Sequence, residues 1–190
     1  HLPIFKRAQN NGLICFSSPF DETAVDFLES IDCPAYKIAS FENNHLPLIT
    51  KAAKTGKPLI ISTGMATLAE LDLAVSSARD AGCTSLVLLK CTSTYPASPK
   101  NTNINTIPHL ATTFDCPVGL SDHTMGVGVA VGAVALGACV IEKHLTLSRD
   151  LGGVDSSFSM EPDEFHSLTV EARRVWAVSY THLTLPTSNG

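Results

Sequence analysis

Short apolar runs return at near-regular intervals along this chain, and that recurrence limits the possible folds more than any other feature. The runs occupy residues 12–17, 35–40, 57–62, 85–91, 116–121 and 138–144, and they begin 23, 22, 28, 31 and 22 residues apart. Helical patterns lie between them, among others at 21–31, 68–81 and 127–136. Nearly continuous apolar strands that alternate with helices indicate a parallel sheet with helices on both faces.

The ends of these strands favour one parallel architecture over the other. Four of them finish in Ser and a fifth in Cys-Thr-Ser, so each leads into a polar loop. This pattern is typical of a TIM barrel, whose active site is built at the carboxyl ends of its strands. A doubly wound sheet is the main alternative, but no GxGxxG follows the first strand. We therefore expect an incomplete (β/α)8 TIM barrel of about six βα units, corresponding to strands three to eight.

The domain limits and the compartment follow from composition. A single barrel domain is predicted over 1–178, with a partial helix at 3–10 before its first βα unit and a last helix at 163–177. The polar stretch 179–190 is interpreted as an assembly artefact or a disordered tail, so its His182 receives no role. A formal net charge of −5 and the lack of a long apolar run argue against nucleic-acid or membrane partners. Six cysteines without a CxxC pair predict a reduced, cytoplasmic protein.

Two histidines stand at the C-terminal ends of consecutive predicted strands. His123 ends "GLSDH" and His144 ends "VIEKH", 21 residues further on. Side chains alternate along a strand, so Ser121 and His123 share one face of the first strand. In the second strand Glu142 and His144 share a face, and Lys143 points the other way. Adjacent parallel strands lie about 4.8 Å apart, so both imidazoles can reach one metal ion. The alternative is that both are ordinary histidines in polar loops.

Lysines and hydroxyls at the same strand ends indicate an anion site. Lys37 and Lys90 interrupt apolar strands, although either could extend along the strand towards solvent. Ser18, Ser40 and Thr63 add hydroxyls beside a flexible turn at Gly64. Lysines, hydroxyls and backbone amides that converge on one rim suit a phosphate or phosphoenol group. A single serine there is more often a helix cap, as Thr67 is expected to be, with Glu70 completing a capping box.

Two loops complete the predicted rim. A proline-rich loop at 93–99 presents Tyr95, and a glycine-rich loop at 152–165 presents Asp155 and Ser156. Gly152 and Gly153 permit unusual backbone angles in the second loop. Asp155 is either a turn residue or a carboxylate that recognises a sugar.

Seven motifs, in chain order, resemble those of the nonulosonate (sialic acid) synthases, which condense phosphoenolpyruvate with an amino sugar. They extend from about Leu13 to Val178 and read SSPFD, YKIASFE, ISTGMA, LLKCTSTYP, GLSDHT, IEKHLTL and GGVDSSFSMEPDEF. Within that family, LLKCTSTYP and GGVDSSFS are more similar to pseudaminic acid synthases. The N-acetylneuraminate synthases tend to have histidine at the position of Lys90 and a Gly-Pro-Asp-His run near Asp155.

The resemblance implies roles for the residues found. Ser18, Lys37 and Ser40 would hold phosphoenolpyruvate, with Ser121 beside them. Ser93 occupies the position where the family has an asparagine that also contacts this substrate. His123 and His144 would bind Mn²⁺ or Mg²⁺, while Glu42, Tyr95 and Asp155 would face the sugar as the catalytic group. Two barrel units of the family, one of which carries a catalytic glutamate, are not found in the sequence. The C-terminal antifreeze-like domain, which the family uses in a swapped homodimer, is not found either. The 190 residues alone are therefore expected to be inactive.

Other functions stay open at this point. The sugar is expected to be 2,4-diacetamido-2,4,6-trideoxyaltrose, with N-acetylmannosamine as the alternative. A Schiff-base aldolase would use Lys37 or Lys90 to form an imine with a carbonyl substrate. A binding protein that keeps the phosphate site without turnover is the non-enzymatic alternative. Glu142 is expected to pair with Lys37 or Lys90, which would make its burial tolerable.

Overall fold

The structure is a computed structural model that describes residues 1–180, and it contains two compact units. Among the described residues, the first unit comprises His1–Cys91 with Leu110–Pro117, and the second comprises Thr92–His109 with the chain from Val118 onward. Most of the predicted tail 179–190, including His182, lies outside the described residues. None of the helices within residues 1–180 is both long enough and apolar enough to cross a membrane.

The first unit alternates helices with parallel strands. Helices α1 (Leu2–Asn10) and α2 (Glu22–Ser30) precede β1 (Tyr36–Ile38), and α3 (Leu46–Lys54), β2 (Leu59–Ser62), α4 (Leu68–Asp80) and β3 (Leu86–Cys91) follow in turn. Strand β2 pairs in parallel with β1 and with β3. Fully buried side chains line these strands, among them Tyr36, Ile38, Leu59, Ile61 and Leu88.

The second unit continues the same order. Helix α5 (Thr106–Phe114) begins in the second unit and ends in the first. The second unit then contains β4 (Val118–Asp122), α6 (Gly128–Ala135), β5 (Ile141–Lys143) and α7 (Pro162–Tyr180). Strands β4 and β5 pair in parallel, with Asp122 opposite Lys143 at the last rung. Ala130, Met160 and Leu168 form a buried cluster against which Phe165 and Ile141 pack. The repeat of strand and helix is the βα repeat that the sequence predicts.

Local sequence signals explain where several helices begin. Asp21 caps α2 by accepting a hydrogen bond from the Ala24 N–H at 2.8 Å. The predicted capping box of α4 is present, because Thr67 accepts from the Glu70 N–H and Glu70 accepts from the Thr67 N–H. Both caps satisfy N–H groups that the first turn of a helix leaves without a backbone partner.

One predicted strand is much shorter than expected. The run 12–17 forms only an isolated parallel bridge between Ser17 and Tyr36, where the Lys37 N–H donates to the Ser17 carbonyl at 3.1 Å. Leu13 and Ile14 are 64% and 80% exposed, so burial of their side chains does little to stabilise a longer strand here. The last predicted strand, 138–144, is also shorter in the structure. Strand β5 begins only at Ile141, and its three residues are half-buried.

Candidate active site

The pairing of β4 with β5 brings the two histidines together. His123 directly follows β4 and His144 directly follows β5, each one residue beyond the last paired rung. Their ring centroids lie 5.2 Å apart, with the ring planes at 66°. The predicted proximity of the two imidazoles is thus present in the second unit.

His123 is fixed by a backbone carbonyl. Its ring is buried, and Nδ1 lies 3.0 Å from the Thr92 carbonyl oxygen. A carbonyl oxygen can only accept, so Nδ1 carries the proton and donates it to Thr92. In the neutral ring the lone pair is then on Nε2, which is the nitrogen available as a ligand. Such outer hydrogen bonds commonly orient metal-binding histidines.

His144 is held in the neutral form by its surroundings. Burial lowers the pKa of His144 below the ordinary value of 6.5, and the neighbouring His123 lowers it further. The carboxylates of Asp155 and Glu142 act in the opposite direction but do not outweigh burial. The imidazole is therefore uncharged at neutral pH, as a metal ligand must be.

Two aromatic rings surround the histidine pair. Tyr95 lies 4.4 Å from the ring of His123 and 6.2 Å from that of His144, measured between centroids. Phe158 lies 5.0 Å from His144 and 5.8 Å from Tyr95. Sequence reasoning identified Tyr95 but missed Phe158, although it is the aromatic residue nearest Asp155 in the glycine-rich loop.

The glycine-rich loop places Asp155 beside His144. The closest carboxylate oxygen of Asp155 lies 3.6 Å from Nδ1 of His144, which is beyond hydrogen-bond distance. Asp155 has a left-handed backbone with φ of 65°, and Gly152 and Gly153 precede it at 71° and 117°. The predicted unusual backbone of the two glycines is present. Ser156, which follows, donates its hydroxyl to the Gly153 carbonyl and so belongs to the turn.

Ser121 and Glu142 share a face of β4 and β5, as alternation predicts. The Ser121 hydroxyl donates to Oε1 of Glu142 at 2.6 Å. The expected pairing of Glu142 with a lysine stays a prediction. Ser93 is half-buried in the segment between Thr92 and Tyr95.

The donor set fits a metal ion that also takes ligands from water or substrate. The two imidazoles supply two nitrogen ligands with their ring centroids 5.2 Å apart. Within residues 1–180, no group of three or more His, Cys, Asp or Glu side chains is placed to hold a metal ion. Two protein ligands would leave most coordination positions open.

The first unit carries the predicted anion-binding residues. Lys37 lies in β1 and Lys90 lies in β3, and both are buried, with exposures of 8% and 7%. This burial differs from the alternative in which the lysines extend into solvent. Ser18 is half-buried directly after the bridge at Ser17.

Beyond the ends of β1 and β2, a turn is organised by side chains. The Ser40 hydroxyl accepts from the Gly64 N–H at 3.2 Å, and Asn43 donates to the Ser62 and Gly64 carbonyls at 3.1 and 3.0 Å. Thr63, which follows Ser62, is buried. These contacts fix the predicted turn at Gly64 and keep Ser40 next to it.

Two buried oxygen atoms in this unit have no hydrogen-bond partner among the described residues. They are Oε2 of Glu42 and the hydroxyl of Ser62. Buried polar atoms are rarely left without a partner, so such atoms at strand ends suggest contact with a ligand. Glu42 was identified from the sequence, whereas Ser62 was missed in favour of its neighbour Thr63. The expected convergence of the anion group and the histidine group on one rim stays a prediction.

Comparison with protein families identifies the chain. The family model described as "NeuB family" matches residues 1–182. The chain belongs to the NeuB family. It is 46% identical over 174 residues to a pseudaminic acid synthase of Campylobacter jejuni, covering 92% of this chain and 51% of that protein. It is 38% identical over 177 residues to an N,N'-diacetyllegionaminic acid synthase of the same species, covering 92% of this chain and 53% of the relative.

Solved structures confirm the fold class. An N-acetylneuraminic acid (sialic acid) synthetase from Leptospira borgpetersenii, crystallised with citrate, matches with a TM-score of 0.94 and 33% identity. The match covers 98% of this chain and 65% of that structure. The predicted incomplete (β/α)8 barrel and the resemblance to nonulosonate synthases are both confirmed. The chain spans about half the length of the curated relatives that it matches.

Proposed function

We propose that the whole protein condenses phosphoenolpyruvate with an N-acetylated amino sugar to give a nonulosonic acid and inorganic phosphate. The observation that carries the proposal is the histidine pair in the second unit, with ring centroids 5.2 Å apart and Tyr95 against both rings. Membership of a family whose relatives are named as nonulosonate synthases supplies the reaction class.

The anion would be held by the residues of the first unit. Lys37 and Lys90 are buried in the strands that carry them, with exposures of 8% and 7%. Lysine ammonium groups form charge-assisted hydrogen bonds with phosphate and carboxylate oxygens, and phosphoenolpyruvate carries both groups. Ser18, Ser40 and Thr63 would add hydrogen bonds, and the unpartnered Ser62 hydroxyl is suited to the same role.

Mn²⁺ or Mg²⁺ would bind His123 and His144, and such an ion, when bound, polarises a carbonyl oxygen. His123 presents Nε2 because Thr92 fixes the other nitrogen, and His144 stays neutral because burial lowers its pKa. Asp155 and Glu42 would accept hydrogen bonds from sugar hydroxyls, and Tyr95 would limit access of water to the rings.

The bond changes balance with water as the third reactant. C3 of phosphoenolpyruvate forms a bond to the aldehyde carbon of the open-chain sugar, whose oxygen takes up a proton. Water adds to the cationic C2 and loses a proton, and the resulting tetrahedral carbon releases phosphate by cleavage of its C–O bond. Lys37 and the surrounding hydroxyls would stabilise negative charge throughout these steps.

We propose 2,4-diacetamido-2,4,6-trideoxyaltrose as the amino sugar, the substrate expected of a pseudaminic acid synthase. The motifs around Lys90 and Asp155 support this choice, as does the higher identity to the pseudaminic acid synthase, 46% against 38% for the legionaminic relative. N-acetylmannosamine is the competing substrate.

The test measures phosphate release by the whole protein with each sugar, with Mn²⁺ or with EDTA. Phosphoenolpyruvate labelled with ¹⁸O at the bridging position should deliver its label to the released phosphate, because the C–O bond breaks. The His123→Ala/His144→Ala variant should lose turnover in Mn²⁺. Covalent trapping of Lys37 or Lys90 by borohydride, without phosphate release, would instead identify an aldolase. Binding of phosphoenolpyruvate without turnover of either sugar would indicate the non-catalytic alternative.

A further inference from the structure

A buried ion pair lies directly beside the two histidines in sequence but has no part in the proposed chemistry. Nζ of Lys143 lies 3.0 Å from Oδ2 of Asp122, and the two side chains are 2% and 0% exposed. Asp122 immediately precedes His123, and Lys143 immediately precedes His144. The two residues also face each other across the last paired rung of β4 and β5.

The Lys143 ammonium group contacts the residues on both sides of His123. Besides Asp122, it donates to the carbonyl of Thr124 at 2.6 Å and to that of Gly126 at 3.3 Å. Oδ1 of Asp122 accepts from the Thr124 N–H at 2.9 Å. The residue before His123 and the residue after it are thus held by one lysine that extends from the neighbouring strand.

Stability alone gives a weak reason for this arrangement. Replacing a buried ion pair with apolar residues of similar size is often neutral or stabilising, because desolvation offsets the attraction. A geometric role is stronger, because side chains alternate along a strand. Alternation places the side chains of the next residues, His123 and His144, on the opposite face from Asp122 and Lys143. An ion pair that fixes the last paired rung would then set the separation of the two histidines without competing for their space.

We propose that Lys143 and Asp122 are positioning residues that hold His123 and His144 at the separation required to share one divalent cation. The inference rests on the metal role proposed for the two histidines. Residues that orient metal ligands typically contribute 10- to 100-fold to metal affinity. The effect of the ion pair on Mn²⁺ affinity should therefore exceed its effect on folding.

The test measures Mn²⁺ affinity by titration calorimetry and melting temperature by calorimetry on the whole protein. Lys143→Met should weaken Mn²⁺ binding at least tenfold. In the Lys143→Met/Asp122→Leu variant, which leaves no unpaired buried charge, the melting temperature should recover while Mn²⁺ binding stays at least tenfold weaker. Recovery of both properties in the double variant would overturn the proposal, because the pair would then be only structural.

Two controls keep the result decisive if a variant folds poorly. Ile107→Ala removes a buried side chain of the same unit on α5, so it should lower the melting temperature without changing Mn²⁺ affinity. Lys51→Met breaks an exposed Lys–Asp pair in the first unit and should change neither property. Equal loss of Mn²⁺ affinity in Ile107→Ala and Lys143→Met, at equal loss of melting temperature, would also overturn the proposal.

A metal-free measurement separates this inference from the proposed function. Nitrogen-15 NMR of the imidazoles should show His123 protonated at Nδ1 in the unsubstituted protein and a mixture of tautomers in Lys143→Met. If His123→Ala/His144→Ala keeps full Mn²⁺ affinity, the metal site itself is wrong and the positioning role falls with it. If that variant loses Mn²⁺ while Lys143→Met keeps both affinity and tautomer, only the positioning role is wrong.

Discussion

At the scale of single residues, His144 sets the pH dependence that we expect of the metal site. Its pKa lies below 6.5, chiefly because of burial and secondly because of His123. A lowered pKa keeps the ring neutral to lower pH, and only the neutral ring binds metal. Mn²⁺ affinity should therefore be constant at neutral pH and fall only as the pH drops through a value below 6.5.

Titration calorimetry between pH 5 and 8, in steps of about half a unit, checks this prediction. His45, a half-buried histidine of the first unit that is not one of the proposed metal ligands, provides the control as His45→Ala, which should leave the profile unchanged. An affinity that already declines above pH 7 would mean that burial does not keep His144 neutral.

Lys37 should account for much of the affinity for the anionic substrate. A hydrogen bond to a charged group contributes about 1.5–3 kcal/mol, so Lys37→Ala should weaken phosphoenolpyruvate binding by that amount. Fluorescence or calorimetric titration of phosphoenolpyruvate measures the change. Ser85→Ala is the control, because Ser85 is exposed just before β3 and should not affect binding. Equal losses in the two variants would mean that general stability, not the anion, is being measured.

At the scale of elements, most of the fold could be predicted from the pattern of residues. Periodicity and capping signals gave α2, α4 and α6 to within one or two residues, because local sequence determines where a helix can begin. Five of six apolar runs form strands. The first run fails because a strand also needs pairing, and Ile14 is 80% exposed with only Ser17 bridged.

The site was predictable where it depends on strand ends, and less so where it depends on side-chain contacts. The positions of His123 and His144 at the ends of neighbouring strands predicted that the two rings lie close together, and their centroids are 5.2 Å apart. The ion pair between Lys143 and Asp122 was not foreseen, because its formation depends on register between strands rather than on either strand alone. Phe158 was missed because a loop has no periodicity that would show where its side chain packs.

The glycine-rich loop offers a prediction at the same scale. Gly153 has a φ of 117°, and a Cβ added there would meet no atom within 4 Å, so only backbone strain opposes a side chain. A side chain held in such a sparsely populated backbone region costs on the order of 1–3 kcal/mol. We expect Gly153→Ala to shift the loop that carries Asp155 and to raise the apparent KM for the amino sugar several-fold.

The matched control for Gly153→Ala is Gly56→Ala in the first unit. Gly56 also has a positive φ, 73°, with open space around it, so the substitution imposes strain away from the loop. Steady-state kinetics with varied amino sugar should show a raised KM only for Gly153→Ala, with the KM for phosphoenolpyruvate unchanged in both variants. An unchanged KM for the sugar in Gly153→Ala would argue against a role of the loop in sugar binding.

At the scale of the whole molecule, the exposed apolar segment 13–16 should control self-association of the 190-residue chain. Leu13, Ile14 and Phe16 are 64%, 80% and 42% exposed, directly before the bridge between Ser17 and Tyr36. An exposed apolar segment at the edge of a sheet can pair its backbone with that of another chain. Ile14→Lys should therefore reduce light scattering of the purified chain at high concentration, because a charge at the edge opposes pairing between two chains.

Leu73→Lys is the control, since Leu73 is 55% exposed on helix α4, where no strand can be added. Equal improvement from both lysines would show that net charge, and not the segment 13–16, governs solubility.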